Sequence, residues 1–157
     1  MPFIAFALAM IVIAGALSHG IGVTNRQIRP VADIVADPTA LAWLAYKTAL
    51  QAYVQRNPGF NGTVPLDQLD LPPNGQDLTM AGNRVVHDGA TTQVVTWMAL
   101  SGSAVSSTLR LAAGDQSIGI SQGLTWETPS YGNMGPLPVD VPAGDIVSYV
   151  SFSGTDF

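Results

Sequence analysis

Residues 37–59 read DPTALAWLAYKTALQAYVQRNPG, and their punctuation decides how the chain is organised. Asp37-Pro38 opens a helix: a carboxylate at the cap accepts from free backbone N–H groups, and proline at the first helical position gives up a donor that had no partner. Asn57-Pro58-Gly59 closes it, because proline cannot continue a helix and glycine suits the left-handed conformation that comes next. The spacing predicts a helix over 38–56. It places Leu41, Leu44, Ala45, Ala49, Ala52 and Tyr53 near one buried stripe, with Lys47, Gln51 and Gln55 facing away.

Downstream the texture changes. Residues 60–76 hold Gly62, Pro65, Pro72, Pro73 and Gly75 between Val64, Leu66, Leu69 and Leu71, an ordered loop whose leucines need burial. From Leu78 the signals are those of strands and turns. Residues 78–87 and 91–100 form a hairpin around Asp88-Gly89. Residues 101–107 read as a small polar loop, 109–111 and 118–120 as half-buried strands around Gly114-Asp115, 124–127 as a short strand and 146–152 as a last one. Residues 128–144 are too rich in proline and glycine for regular structure. Parallel strands need crossovers of about a dozen residues or more, so the sheet is expected to be antiparallel, with the 38–56 helix as its apolar cover.

Upstream, Met1 to Asn25 contains no charged side chain, and residues 2–17 read PFIAFALAMIVIAGAL. Residues 2–23 would make about 33 Å of helix at ~1.5 Å per residue, against a hydrocarbon core of ~30 Å. They are read as a retained single-span anchor. A cleaved secretory signal ending near Ala14-Gly15-Ala16 is the alternative, against which stands the absence of a basic segment before the run. Arg26 and Arg29 pull the other way on topology, because the positive-inside rule applied to them alone puts the remainder in the cytoplasm. The expected organisation is a transmembrane anchor over 1–25, a connector over 26–36 and an extracytoplasmic domain over 37–157. The fold class is α+β: an N-terminal transmembrane helix, then an amphipathic helix on an antiparallel sheet, in a pilin-like layout.

The whole chain has 157 residues, 47% hydrophobic and 11% charged, with net charge -5 and no cysteine. A nucleic-acid binder carried by a basic patch, a disordered acidic tail and any disulfide or thiolate-metal framework are excluded on those numbers.

The stretch Ala45-Tyr46-Lys47-Thr48-Ala49-Leu50-Gln51-Ala52-Tyr53, with Asn57-Pro58, Gly62-Thr63-Val64 and Leu69-Asp70-Leu71-Pro72, resembles the small PilM proteins encoded with plasmid-type thin, type IVb pili. The resemblance covers the first half of the chain. It implies an accessory component of the pilus basal apparatus, bound to the bacterial inner membrane with its main domain periplasmic, without known catalytic residues, and in contact with other pilus-assembly proteins or pilin. A minor pilin built into the filament is the second reading. It lacks support in the leader and in the early part of the apolar run, since the first glutamate of the chain is Glu127.

Little in the sequence offers chemistry. His19 lies at the end of the apolar run, where a neutral imidazole can sit at an interface. His87-Asp88 could serve a secreted hydrolase only if a serine came close to His87, and this is the third reading. No metal-ligand spacing and no phosphate loop is present, there being no lysine after Lys47. No cofactor is expected. Trp97, on the strongest strand, is expected in the core. Tyr131 and Met134, in the loop Pro129-Ser130-Tyr131-Gly132-Asn133-Met134-Gly135-Pro136, are the candidate partner-contact residues, since exposed aromatic and methionine side chains suit recognition.

Overall fold

The computed structural model describes residues 37–72 and 78–154. Helix α1 occupies Pro38–Arg56. The Asp37 carboxylate accepts from the Thr39 N–H at 2.9 Å, and the Asn57 N–H closes the other end on the Val54 carbonyl. A single 3-10 turn comes next at Leu66–Gln68. Strands β1 (Gly82–His87) and β2 (Thr91–Met98) make the expected hairpin. Its turn is held by the Asp88 carboxylate, which accepts from the N–H groups of Ala90 and Thr91 and from the Thr91 hydroxyl. Then come helix α2 (Gly102–Leu111) and strands β3 (Ile118–Ser121), β4 (Gly123–Thr128), β5 (Gly132–Val141) and β6 (Ile146–Ser153). The six strands form one sheet in the order β1-β2-β6-β3-β4-β5, with antiparallel pairing throughout.

Each face of this sheet has its own core, as the two-residue period of a strand requires. On one face Val94 and Met98 of β2, Ile118 of β3 and Ile146 of β6 meet Trp43, Tyr46, Leu50 and Val54 of α1. On the other, the sheet curls until β5 lies against β2, and Val95, Val147, Trp126, Leu137 and Val141 close a second core without any helix. Gly119 permits the close approach of β4 to β3. A Cβ there would stand 2.1 Å from the Glu127 carbonyl oxygen and 2.9 Å from the Trp126 ring.

These observations correct the expected fold class. The pilin-like α+β layout, with one helix covering a small sheet, gives way to a mostly β structure: among the described residues, six strands, two helices, and a second, smaller core built by the sheet alone. Residues 102–111, read as loop and strand, are helix α2. The Ser101 hydroxyl caps it by accepting from the Ala104 N–H, and the Ser106 and Thr108 hydroxyls donate to carbonyls four residues back. The helix can therefore bury Thr108, while the Ser107 hydroxyl accepts from the Asp37 N–H and Val105 and Leu109 pack its apolar side against the core. Residues 132–141, read as irregular, are the ten-residue strand β5; Pro136 and Pro138 are tolerated because β5 is an edge.

The predicted face of α1 is mostly not the buried one: of that stripe Ala49 is buried, and Leu44 and Tyr53 only border the core. Leu41 is 49% exposed while Ala40, Trp43, Tyr46 and Leu50 are fully buried. The buried set sits nearly opposite the stripe read from the leucines. Lys47, expected outside, is buried because its ammonium finds Asp115.

The expected location is corrected as well. Among the described residues no helix is long and apolar enough to cross a membrane, which conflicts with a single-span inner-membrane protein with a periplasmic domain. The expectations for residues 1–25, for the 26–36 connector and for His19, Arg26 and Arg29 fall outside the described residues.

Candidate functional site

The segment that carried the family resemblance converges on Asn83, a buried polar residue of β1 that sequence reasoning did not single out. Its Nδ2 donates to the Tyr46 hydroxyl at 2.7 Å and to the Val64 carbonyl at 2.9 Å, while its Oδ1 accepts from the Val64 N–H at 2.8 Å. Beside it, Gly62 exchanges both backbone bonds with Val85, at 2.9 and 2.8 Å. The side chain thus acts as one more strand residue, fastening the loop after α1 along the outer edge of β1. Burial pushes the Tyr46 hydroxyl above its ordinary range, opposed by the bond from Asn83, so the phenol stays neutral within the core. Tyr53 closes the same loop, donating to Gln68 Oε1 at 2.9 Å and meeting the Phe60 ring edge-on at 5.5 Å.

Both sheet edges are in consequence poor sites for strand addition: the Gly62–Val64 strap covers part of β1, and two prolines interrupt β5. One shallow groove of about 650 Å³ runs along the outer face of α1, lined by Leu44, Ala45, Thr48, Ala49 and Ala52 with Arg56, Asp70 and Pro72. Most of the stripe expected to be core therefore borders an open groove.

A second groove, of about 550 Å³, lies between the C-terminal turn of α2 with its connection to β3 and the turn joining β4 to β5. Leu109, Arg110, Asp115, Gln116, Ile118 and Tyr131 are among its lining residues. Tyr131 is 60% exposed, yet it is held at both ends: its N–H donates to the Thr128 hydroxyl, and its own hydroxyl accepts from Gln116 Nε2 at 2.9 Å. Met134, 37% exposed, lies further along β5, outside the groove lining. The structure therefore puts the two residues singled out by sequence on the same hairpin but only Tyr131 in the groove.

Asp115 anchors the groove to α1. Burial pushes its carboxyl up, but hydrogen bonds from Lys47 and from the hydroxyl and N–H of Ser117, together with the Lys47 charge, bring it below the ordinary carboxylate value. Lys47, part of the motif, is thus the link between α1 and the groove wall.

The other residues singled out by sequence are engaged in the fold. His87 Nδ1 lies 2.9 Å from the hydroxyl of Thr92, which is 1% exposed and out of a substrate's reach; no serine takes part in that contact. Asp88 is occupied with its turn, and the bonds from Thr91 and Ala90 lower its carboxyl. Trp97, expected in the core, is only partly buried, its ring lying over Gly82, and it is Trp126 that takes the core position, edge-on to Tyr149 at 6.1 Å. Among the described residues no cluster of three or more His, Cys, Asp or Glu could hold a metal ion.

The described residues define a sheet protein with one edge partly covered and the other broken by prolines, with shallow grooves on its surface and a motif used for internal fastening. The PilM family profile matches residues 7–149, most of the chain, and the protein belongs to that family. Membership brings a pilus-related accessory role in type IV pilus assembly. No curated protein and no solved structure matches the chain.

Proposed function

We propose that this protein serves assembly of thin, plasmid-type type IVb pili as a non-enzymatic accessory component, and that it works by protein-protein contact through the β4–β5 hairpin. The observation that carries this reading is Tyr131: an aromatic ring 60% exposed and already fixed by two hydrogen bonds. An exposed ring normally gives up rotamer freedom when a partner covers it, and one held in advance loses less on binding. Aromatic side chains are also enriched among the few residues that dominate binding energy.

The family motif supports the same division of labour. Tyr46, Lys47, Tyr53, Gly62 and Val64 are all engaged within the protein, which makes the motif a fastening for the fold and leaves contact to the β4–β5 hairpin. The test is the double variant Tyr131→Ala/Met134→Ala, scored for pilus number on cells producing these pili and for thermal unfolding of the purified protein. Lost pili with an unchanged unfolding transition supports contact. Normal pili, or lost pili with a collapsed transition, removes it.

A further inference from the structure

The Tyr131 groove also carries a charge pattern. Two charged side chains line it, Arg110 and Asp115. Asp115 is committed: its Oδ2 takes the Lys47 ammonium, and its Oδ1 accepts from the Ser117 N–H at 2.9 Å and the Ser117 hydroxyl at 2.7 Å. Its charge is offset and its acceptors are in use. Arg110, exposed in the last turn of α2, makes no side-chain hydrogen bond or ion pair among the described residues. The negative end of α2 is itself partly answered, since the carbonyls of Thr108, Arg110 and Ala112 accept from the N–H groups of Ala112, Ala113 and Asp115. In a chain of net charge -5, the groove thus presents an uncommitted guanidinium beside the apolar surface of Leu109, Ile118 and the Tyr131 ring.

Building on partner contact through the β4–β5 hairpin, we propose that this groove docks an extended acidic segment of a partner polypeptide, with a carboxylate on the Arg110 guanidinium and a neighbouring apolar side chain against Tyr131. A planar guanidinium meets a carboxylate through two parallel N–H···O bonds, which fixes orientation as well as charge. The groove volume of about 550 Å³ falls within the range of ~300–1,000 Å³ in which ligand sites lie. A neutral or basic segment would leave Arg110 covered without a partner or facing a like charge.

The experiment uses the full chain and a fluorescein-labelled hexapeptide of alternating Asp and Leu, with its Asn-Leu counterpart as the neutral control, monitored by fluorescence anisotropy. The acidic peptide should bind saturably and at least tenfold more tightly than the neutral one. Arg110→Glu should weaken it at least tenfold, Arg110→Lys should recover part of the loss, and added salt should weaken binding in the wild type. Equal affinity for the two peptides, no saturable binding of either, or an Arg110→Glu variant that binds as before would overturn the proposal. So would concentration-dependent dimerisation abolished by Arg110→Glu, since the occupant would then be a second copy of this chain. Pilus counts on Tyr131→Ala cells separate the two levels. Lost pili with charge-blind peptide binding removes the acidic occupant and leaves the contact reading, whereas normal pili with charge-selective binding removes the contact reading and leaves the groove's chemistry.

Discussion

The loop clamp around Asn83 and the groove around Tyr131 are built from similar materials and put to opposite uses. Each joins a tyrosine hydroxyl to a side-chain amide at hydrogen-bond distance, Asn83 to Tyr46 and Gln116 to Tyr131. At the clamp the pair is buried, and the amide has two further bonds to the Val64 backbone. At the groove the pair is exposed, and the ring it holds covers little of the protein's own core. A buried polar network is worth having only when every member is satisfied, so the clamp specifies one arrangement of chain. An exposed one costs little if lost, and orders a surface for something else. The motif read from sequence consists of residues that hold the fold, and the surface proposed for contact carries no motif.

The sharpest way to break this contrast is within the sheet that supports both regions. Gly119→Val forces side-chain atoms into the space of the Glu127 carbonyl and the Trp126 ring, and is expected to destabilise the protein by about 3 kcal/mol or more. Urea unfolding of the purified variant measures it. Next is Asn83→Ala, which strands both backbone groups of Val64 and the Tyr46 hydroxyl in the interior. At about 1–3 kcal/mol for a buried group left unsatisfied, partly relieved by water, the expected loss is about 3 kcal/mol. Combining it with Tyr46→Phe should give much less than the sum, since the two residues share a bond.

Smaller is the pair that ties α1 to the groove wall. Asp115 has a folded-state pKa below its ordinary value of 3.8, so its contribution to stability is complete above that value and fades as pH falls through the lowered folded one. Asp115 is partly exposed, and replacing it with Asn is expected to cost about 1 kcal/mol near neutral pH. Thermal unfolding measured from about pH 6 down to about pH 3 should show a shallower acid limb in Asp115→Asn than in the wild type. The smallest expected effect on stability is that of Tyr131→Ala, within about 0.5 kcal/mol, although the same substitution is expected to abolish pilus assembly.

The contrast also explains what is legible in the sequence. Helix α1 is bounded by punctuation, Asp37-Pro38 and Asn57-Pro58-Gly59, and these are local rules that tertiary structure does not override. Its buried face is misleading in the sequence because the leucines outweigh Trp43 and Tyr46, and because Lys47 has a partner 68 residues away. Helix α2 is masked because Ser107 and Thr108, buried within it, look polar in sequence; the Val105 and Leu109 pair that packs on the core, the Ser101 cap, Arg110 in the last turn and Gly114 beyond it are the signals available. Strand β5 is hidden because its prolines look like loop to any reading that does not know which strand is an edge. At the candidate site, Tyr131 is legible as an exposed aromatic in a turn. Arg110 and Gln116 are not, because only the fold brings them to it.

The most direct test of the division between fastening and contact places a photo-crosslinking amino acid in turn at position 131 and at position 41, where Leu41 is 49% exposed on the outer face of α1. Both variants are illuminated in cells assembling pili. A crosslink from position 131 to a pilus-assembly protein or pilin, with none from position 41, is the predicted result. A crosslink from position 41 and none from position 131 would contradict it, moving the contact surface to the exposed side of α1.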